Sequence, residues 1–420
     1  LPVLRDPVAA VLAADGCRLL VANHLPAGAS DGAYVAAAVT VIDTVTGAVL
    51  DPIELPNGST GLRGICRSPD GRHAYVTHIL ARYHMPTTQL ERGWMNTNAL
   101  SVIDTAAGRR INTVLVDDVD LGAANPWGVA CSPDGRTLFV AHAGTHEVSV
   151  IDRAALHARL DKVASGEAVT PVSRTPEDVC NDLSFLVGLR ERMRLEGKGP
   201  RGIVADDAAV YAAEYFSGSV GVLRPEQEVH SPAASWALGE QRPLTQVRRG
   251  ELYFNDAALC FQNWQSCASC HPDGRADALN WDLLNDGMGN PKNTKSMVLS
   301  HKTPPVMISG VRDQAETAVR AGIRFIQFAV RPEEDAEAID AYLKTLKPVT
   351  SPRRVDGELS DAARRGEAVF EEAGCARCHP PPLFTNLHAY DVGTGTGREE
   401  GVSFDTPTII ENWRTGPYLY

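Results

Sequence analysis

Apolar and polar residues alternate in short runs across the first half of the chain, and the runs repeat. "CRSPDGRHAYVTHI" at 66–79 and "CSPDGRTLFVAHAG" at 131–144 are copies of one segment, followed by "ALSVIDTAAG" and "EVSVIDRAAL". The opening stretch keeps the same order in "AADGCRLLVANH" and "AVTVIDTVTG", and a weaker fourth copy reads "GIVADDAAVYAAEYFSGSVGVL" at 202–223. Period-two alternation broken by an Asp-Gly pair predicts strand, tight turn, strand, loop, strand. Units this small cannot bury a face alone, so tandem copies predict the stacked sheets of a β-propeller, incomplete or with degenerate blades. Residues 79–98 and 153–200 read as insertions, the second with a predicted helix at "NDLSFLVGLRERMRLEG".

Registering the copies on the Asp-Gly turn aligns Asn23, His78 and His142, with Glu214 in the weaker copy. Polar residues at such a position either converge and bind a metal or, more commonly, hydrogen-bond the sheet edges. Cys66 and Cys131, in "ICRSPDG" and "ACSPDG", read as the same place in separate copies, hence as buried small hydrophobes rather than a bridge.

From residue 244 the period changes to helical. "RRGELYFNDAALC" at 248–260 is matched by "RRGEAVFEEAGC" at 364–375, and "NTKSMVLSHKTPPVMI" at 293–308 by "DTPTIIENWRTGPYLY" at 405–420. The second half is therefore a duplication. The first copy continues into two helical stretches, "RDQAETAVRAGIRFIQF" and "EEDAEAIDAYLKTLKP", that the second copy lacks, which leads us to expect further natural chain beyond Tyr420.

Each copy contains one Cys-x-x-Cys-His: "CASCH" at Cys267–His271 and "CARCH" at Cys375–His379. Two intervening residues let one turn present both thiols to a single porphyrin edge, and the adjacent histidine supplies the proximal iron ligand of a c-type haem. A thioredoxin-like pair would sit in a strand-to-helix βαβ unit, absent from both surroundings. A zinc site of four cysteines would leave the repeated histidines and flanks without a role.

Composition narrows the partners. With 420 residues, 44% of them hydrophobic, the chain can bury more than one core, and a net charge of -12 argues against nucleic acid as the main partner. No apolar stretch is long enough to span a membrane, and "LPVLRDPVAA" has neither basic region nor apolar leader, so we expect a mature chain or one that begins inside a longer precursor.

The tandem segments resemble YVTN-type propeller repeats through "YVTH", "FVAH" and "VSVID". Through "AIDAYLKTL", "LSDAARRGEAVFEEAGCARCH" and "FDTPTIIENWRTGPYLY", residues 244–420 resemble the bacterial dihaem cytochrome c peroxidase superfamily, which includes the dihaem enzyme that matures tryptophan tryptophylquinone in methylamine dehydrogenase. The expected architecture is multidomain: an all-β propeller over 1–240, then two mostly α-helical, class I cytochrome c-like domains over 244–350 and 351–420. The resemblance implies two covalent c-type haems, calcium between the haem domains, a periplasmic or cell-surface location, and a redox enzyme or a non-catalytic electron-transfer protein. Its partner would be a small cytochrome, a cupredoxin or a protein substrate.

The six motif residues Cys267, Cys270, His271, Cys375, Cys378 and His379 are the expected attachment and proximal sites. Distal candidates are Met288, Met297, His301 and Met307 for the first haem, and His388, Tyr418 and Tyr420 for the second; Met307 and Tyr420 are our choices. Glu316 is the candidate proton-transferring carboxylate, with Gln314 to orient it, and Trp264 and Trp281 are expected to flank the first haem. The family's Gly-Pro before a Glu-Met pair is missing here, and Gln327 stands in a different setting.

Overall fold

Each copy in the first half folds into a four-stranded antiparallel meander, in a computed structural model that describes residues 2–85, 95–224, 233–283 and 289–416. The first sheet is β1 (Pro7–Leu12), β2 (Arg18–Asn23), β3 (Ala38–Asp43) and β4 (Val49–Glu54), and the second is β5 (Ser59–Arg67), β6 (His73–Ala81), β7 (Asn96–Asp104) and β8 (Arg109–Leu115). The third comprises β9 (Pro126–Cys131), β10 (Thr137–His142), β11 (Glu147–Asp152) and β12 (Arg190–Arg194), and the fourth β13 (Pro200–Ala205), β14 (Val210–Glu214), β15 (Ser219–Leu223) and β16 (Ala234–Ala237). The Ser-Pro-Asp-Gly turns share one mechanism. Asp70 accepts from Ser68 Oγ at 2.5 Å and from Arg72 N at 3.1 Å, and Asp134 repeats this with Ser132 and Arg136 at 2.6 and 3.0 Å. The glycines that follow, Gly71 and Gly135, sit at φ of 72° and 74°, where a side chain would strain the turn.

The sheets stack through their first strands, β1 on β5, β5 on β9 and β9 on β13. Among the described residues no comparable packing returns from the fourth sheet to the first, so the four sheets form an open array and closure into a propeller is not seen. Apolar layers fill the gaps: Leu20, Val39, Val76 and Ile103 between the first two sheets, and Tyr75, Leu100, Val102, Leu138, Val140 and Ile151 between the second and third.

The aligned polar positions join strands rather than gather at an ion. Asn23 Nδ2 donates to Thr40 Oγ1 at 2.9 Å, His78 Nε2 bonds Ser101 Oγ at 2.8 Å, and His142 Nε2 bonds Ser149 Oγ at 2.7 Å. Glu214 accepts from Ser219 and Ser235. Among the described residues no group of three or more His, Cys, Asp or Glu could hold a metal ion.

The helix expected at 181–197 does not form. Gly188 breaks it at φ 75°, and the residues after it become β12, an edge strand on β11. Arg190 pairs with Asp118, and Arg192 with Asp118 and Glu147, across the loop before β9. Tertiary ion pairs and a free strand edge thus override a helical apolar spacing. The helix of this insertion is instead α1 (Arg153–Ala164), capped by Asp152 and burying Leu156, Leu160 and Val163 against the third sheet.

Helices take over after Ala237. α2 (Gln246–Asn255), capped by Thr245, leads to a one-turn helix α3 (Cys267–Cys270), and α4 (Ala315–Phe325) and α5 (Glu333–Leu343) follow. α2 crosses α5 so closely that a Cβ on Gly250 would lie 1.8 Å from the Ala338 carbonyl oxygen. Phe254, Ile323, Ile339 and Leu343 fill the crossing. The second copy opens with α6 (Asp361–Glu372), capped by Ser360, which buries none of its residues; a Cβ on its equivalent Gly366 would meet nothing within 4 Å. No helix among the described residues is long and apolar enough to cross a membrane.

Equivalent glycines in unlike surroundings give a paired expectation. Gly250→Ala should destabilise the fold by about 2 kcal/mol by forcing α2 off α5, whereas Gly366→Ala should be neutral or stabilising by up to about 1 kcal/mol. Denaturant melts of both variants check this, and equal losses would contradict it.

Candidate haem-attachment sites

The first Cys-x-x-Cys-His lies on α3 and the residue after it. Ser266 caps the turn in a reciprocal box with Ser269, and the His271 amide donates to the Cys267 carbonyl at 2.9 Å. One turn therefore carries both thiols. The His271 ring is half-buried, and its Nδ1 meets the Arg275 carbonyl at 3.0 Å. A carbonyl can only accept, so Nδ1 carries the proton and Nε2 keeps its lone pair, the tautomer an iron ligand requires. Burial holds this imidazole below its usual pKa, which favours the neutral form.

The second motif repeats the device. The His379 amide donates to the Cys375 carbonyl at 2.9 Å, and its Nδ1 meets the Phe384 carbonyl at 3.0 Å. All four thiols are free. Two thiols on one turn beside a histidine whose Nδ1 is held by a main-chain carbonyl fit the demands of a c-type haem at both places.

The first site is walled by the sheets. Val35, Ile79, Ala81, Tyr83 and Met95 share one apolar core with Cys260, Trp264, Leu279 and Trp281, and Cys270 packs on it. Asn96 Nδ2 donates to Gln265 Oε1 at 2.7 Å and approaches Cys270 Sγ at 3.5 Å, while Gln327 Nε2 lies 3.0 Å from Cys267 Sγ. Arg63 pairs with Asp273 at 3.2 Å, two residues past His271. Asp277 is fully buried, accepts from Trp281 Nε1 at 2.8 Å and, by burial, has its carboxyl pushed up to about 7 against the hydrogen bonds of Trp281 and Thr294.

No family model matches the chain. Hydrazine synthase subunit gamma of Kuenenia stuttgartiensis is 32% identical over 250 residues, covering 50% of this chain and 69% of that protein. The chain belongs to the dihaem, cytochrome c peroxidase-like superfamily of hydrazine synthase and MauG. Hydrazine synthase subunit beta of the same organism is 29% identical, over 44% of this chain and 46% of that one. The methylamine utilization protein MauG of Methylorubrum extorquens is 26% identical, over 47% and 69%. A solved Kuenenia stuttgartiensis hydrazine synthase structure aligns with TM-score 0.43 and 27% identity, covering 53% of this chain and 59% of that one.

Within this superfamily member the other expected residues are scattered. Trp264 and Trp281 are both buried in the shared core beside Cys270. Met297 packs with Cys267 on the core beneath α2 and α5. Met307, half-buried at φ 75°, offers its carbonyl to Lys295 Nζ, which also pairs with Asp405. His301 is bonded through Nε2 to Asp340 at 3.0 Å. Glu316 pairs with Lys344 at 2.8 Å, which holds its carboxyl below the usual range, and Gln314 is exposed at the start of α4. His388 is exposed, and Met288, Tyr418 and Tyr420 lie outside the described residues. For the calcium that the resemblance implies between the haem domains, no group of three or more His, Cys, Asp or Glu is found among the described residues. Asn96, Gln265 and Asp277 were not anticipated; an acid in the apolar "ADALNW" was the only local signal for any of them.

Asp277 sets a pH dependence with a definite sign. Between about pH 4, where the unfolded carboxyl ionises, and pH 7, where the buried one does, the folded state holds the extra proton. Stability therefore falls as pH rises, by up to about 1.4 kcal/mol per unit from this group. In Asp277→Asn that contribution should vanish. Denaturant melts from pH 4 to 8 check it, with parallel wild-type and variant curves as the contrary result.

Proposed function

We propose that this chain is a dihaem c-type redox enzyme of the cytochrome c peroxidase kind, working in the periplasm or at the cell surface. It passes electrons between a protein partner and peroxide or another oxidisable or reducible substrate. The observation that carries this reading is the pair of Cys-x-x-Cys-His turns whose histidines both turn Nδ1 to a main-chain carbonyl. In this reading Cys267, Cys270 and His271 hold one haem, and Cys375, Cys378 and His379 the other. Bound haem would supply one-electron chemistry at its iron.

The protein's own groups have assignable tasks. The amides of Asn96 and Gln327 steady the first pair of sulfurs. Trp264 and Trp281 exclude water, and Asp277 holds a proton beside them. Met307 and Tyr420 are the proposed distal groups, and Glu316 with Gln314 the proposed proton-transfer pair. We assign residues 1–240 to a propeller, incomplete or with degenerate blades, that offers a docking face to a small cytochrome, a cupredoxin or a protein substrate. Residues 244–350 and 351–420 are the two haem units. Two relatives are named as subunits of hydrazine synthase, which supports a protein partner.

A second reading, a dihaem electron-transfer protein without a catalytic iron face, is favoured by one observation: Glu316 is tied to Lys344 at the surface. Denatured, metal-stripped protein should retain two covalent haems per chain, and Cys267→Ala with Cys270→Ala should retain one; an intact mass with none would end both readings. Spin resonance then separates them, because a high-spin ferric signal accompanies the enzyme and two low-spin signals with no peroxide reactivity accompany the carrier.

A further inference from the structure

Cys66 and Cys131 do not occupy the same place in their copies. Registered on the Asp-Gly turn, Cys66 aligns with Ala130 and Cys131 with Arg67, one residue apart. One residue along a strand is the opposite face. The pairing agrees: Cys66 stands opposite Tyr75 in the second sheet, and Cys131 opposite Leu138 in the third. Tyr75 and Leu138 both belong to the apolar layer between those two sheets, and both cysteines pack on that layer. Their neighbours Ile65 and Phe139 pack on other layers, toward the first and fourth sheets. The two thiols therefore point into one gap from its two walls.

The walls are close there. A Cβ on Gly64 would lie 2.3 Å from the Trp127 carbonyl oxygen and 3.3 Å from Gly128 Cα, so β5 and β9 run in backbone contact two residues before Cys66. Both cysteines pack on the layer that holds the fully buried Tyr75.

We propose that Cys66 and Cys131 are a redox pair that forms a disulfide between the second and third sheets. Formation balances as thiol–disulfide exchange with a small disulfide such as oxidised glutathione: one protein thiolate attacks a glutathione sulfur and releases one glutathione thiolate, the second protein thiolate attacks the mixed disulfide and releases the other, and the two protons given up by the protein thiols go to the two glutathione thiolates. Cys131 makes the first attack, because burial pushes it up only to about 11 with Arg153 opposing, while deeper burial pushes Cys66 higher still. Two poor leaving thiolates also make the finished bond slow to reduce in the folded protein. The bridge closes a long chain loop across two sheets and so restricts the unfolded state.

The test uses the full haem-loaded chain, incubated with oxidised glutathione, blocked with N-ethylmaleimide under denaturing conditions, and mapped by mass spectrometry without reductant. The expected result is a cross-linked peptide pair of Cys66 and Cys131, lighter by two hydrogens, with neither residue blocked. Its melting temperature should fall by a few degrees after complete reduction, a loss absent from Cys66→Ala. Full blocking of both residues, or linkage of either to Cys17, Cys180 or Cys260, would overturn the pairing; the wild-type map alone decides it if the variant does not fold.

Discussion

Asn125 donates to Ser266 Oγ at 2.8 Å and accepts from Ser269 Oγ at 2.7 Å, so a residue just before β9 grips both ends of the turn that bears Cys267 and Cys270. Around it, Asn98 approaches the Trp264 carbonyl, Gly122 donates to the Gln262 carbonyl at 2.9 Å, and Thr60 bonds the Asp277 carbonyl. A Cβ on Gly122 would meet Trp264 Cα at 2.5 Å, so main chain lies against main chain at this seam. Buried polar groups satisfied across a boundary cannot be separated without leaving them unpaired, at roughly 1–3 kcal/mol each. The sheets and the first Cys-x-x-Cys-His turn are in that sense one structure.

The second copy is built differently from the same plan. Its turn and its histidine bond repeat the first, yet Cys375 is exposed and α6 buries nothing. Its links run to the first helical copy, Arg275 to Glu411 at 2.7 Å, Lys292 to Glu399 at 2.5 Å and Lys295 to Asp405 at 3.1 Å, and to the segment before β1, where Arg5 donates to the Arg414 carbonyl at 2.5 Å.

Much of this was legible in the sequence because it is local. Asp-Gly turns, strand alternation, helix caps and the Cys-x-x-Cys-His turn are all specified within a few residues, and the duplication showed that the signals were not accidental. The misreadings have a common cause in what is not local. The stretch around Gly188 has helical spacing, but arginine partners forty or more residues away draw it into β12. Aligning Cys66 with Cys131 looked natural from their flanks, and the one-residue slip reversed which way each thiol faces. Asn96, Asn125 and Gln265 carry no pattern at all; their importance comes from what the fold places opposite them.

The claim that the sheet array and the first Cys-x-x-Cys-His turn are one cooperative unit is tested most directly by native-state hydrogen exchange across a denaturant series. The amides of residues 264–281 and those of β6 and β7 should open together, with the same free energy and the same denaturant dependence. Exchange of residues 264–281 at a distinctly lower free energy, with β6 and β7 still protected, would contradict it.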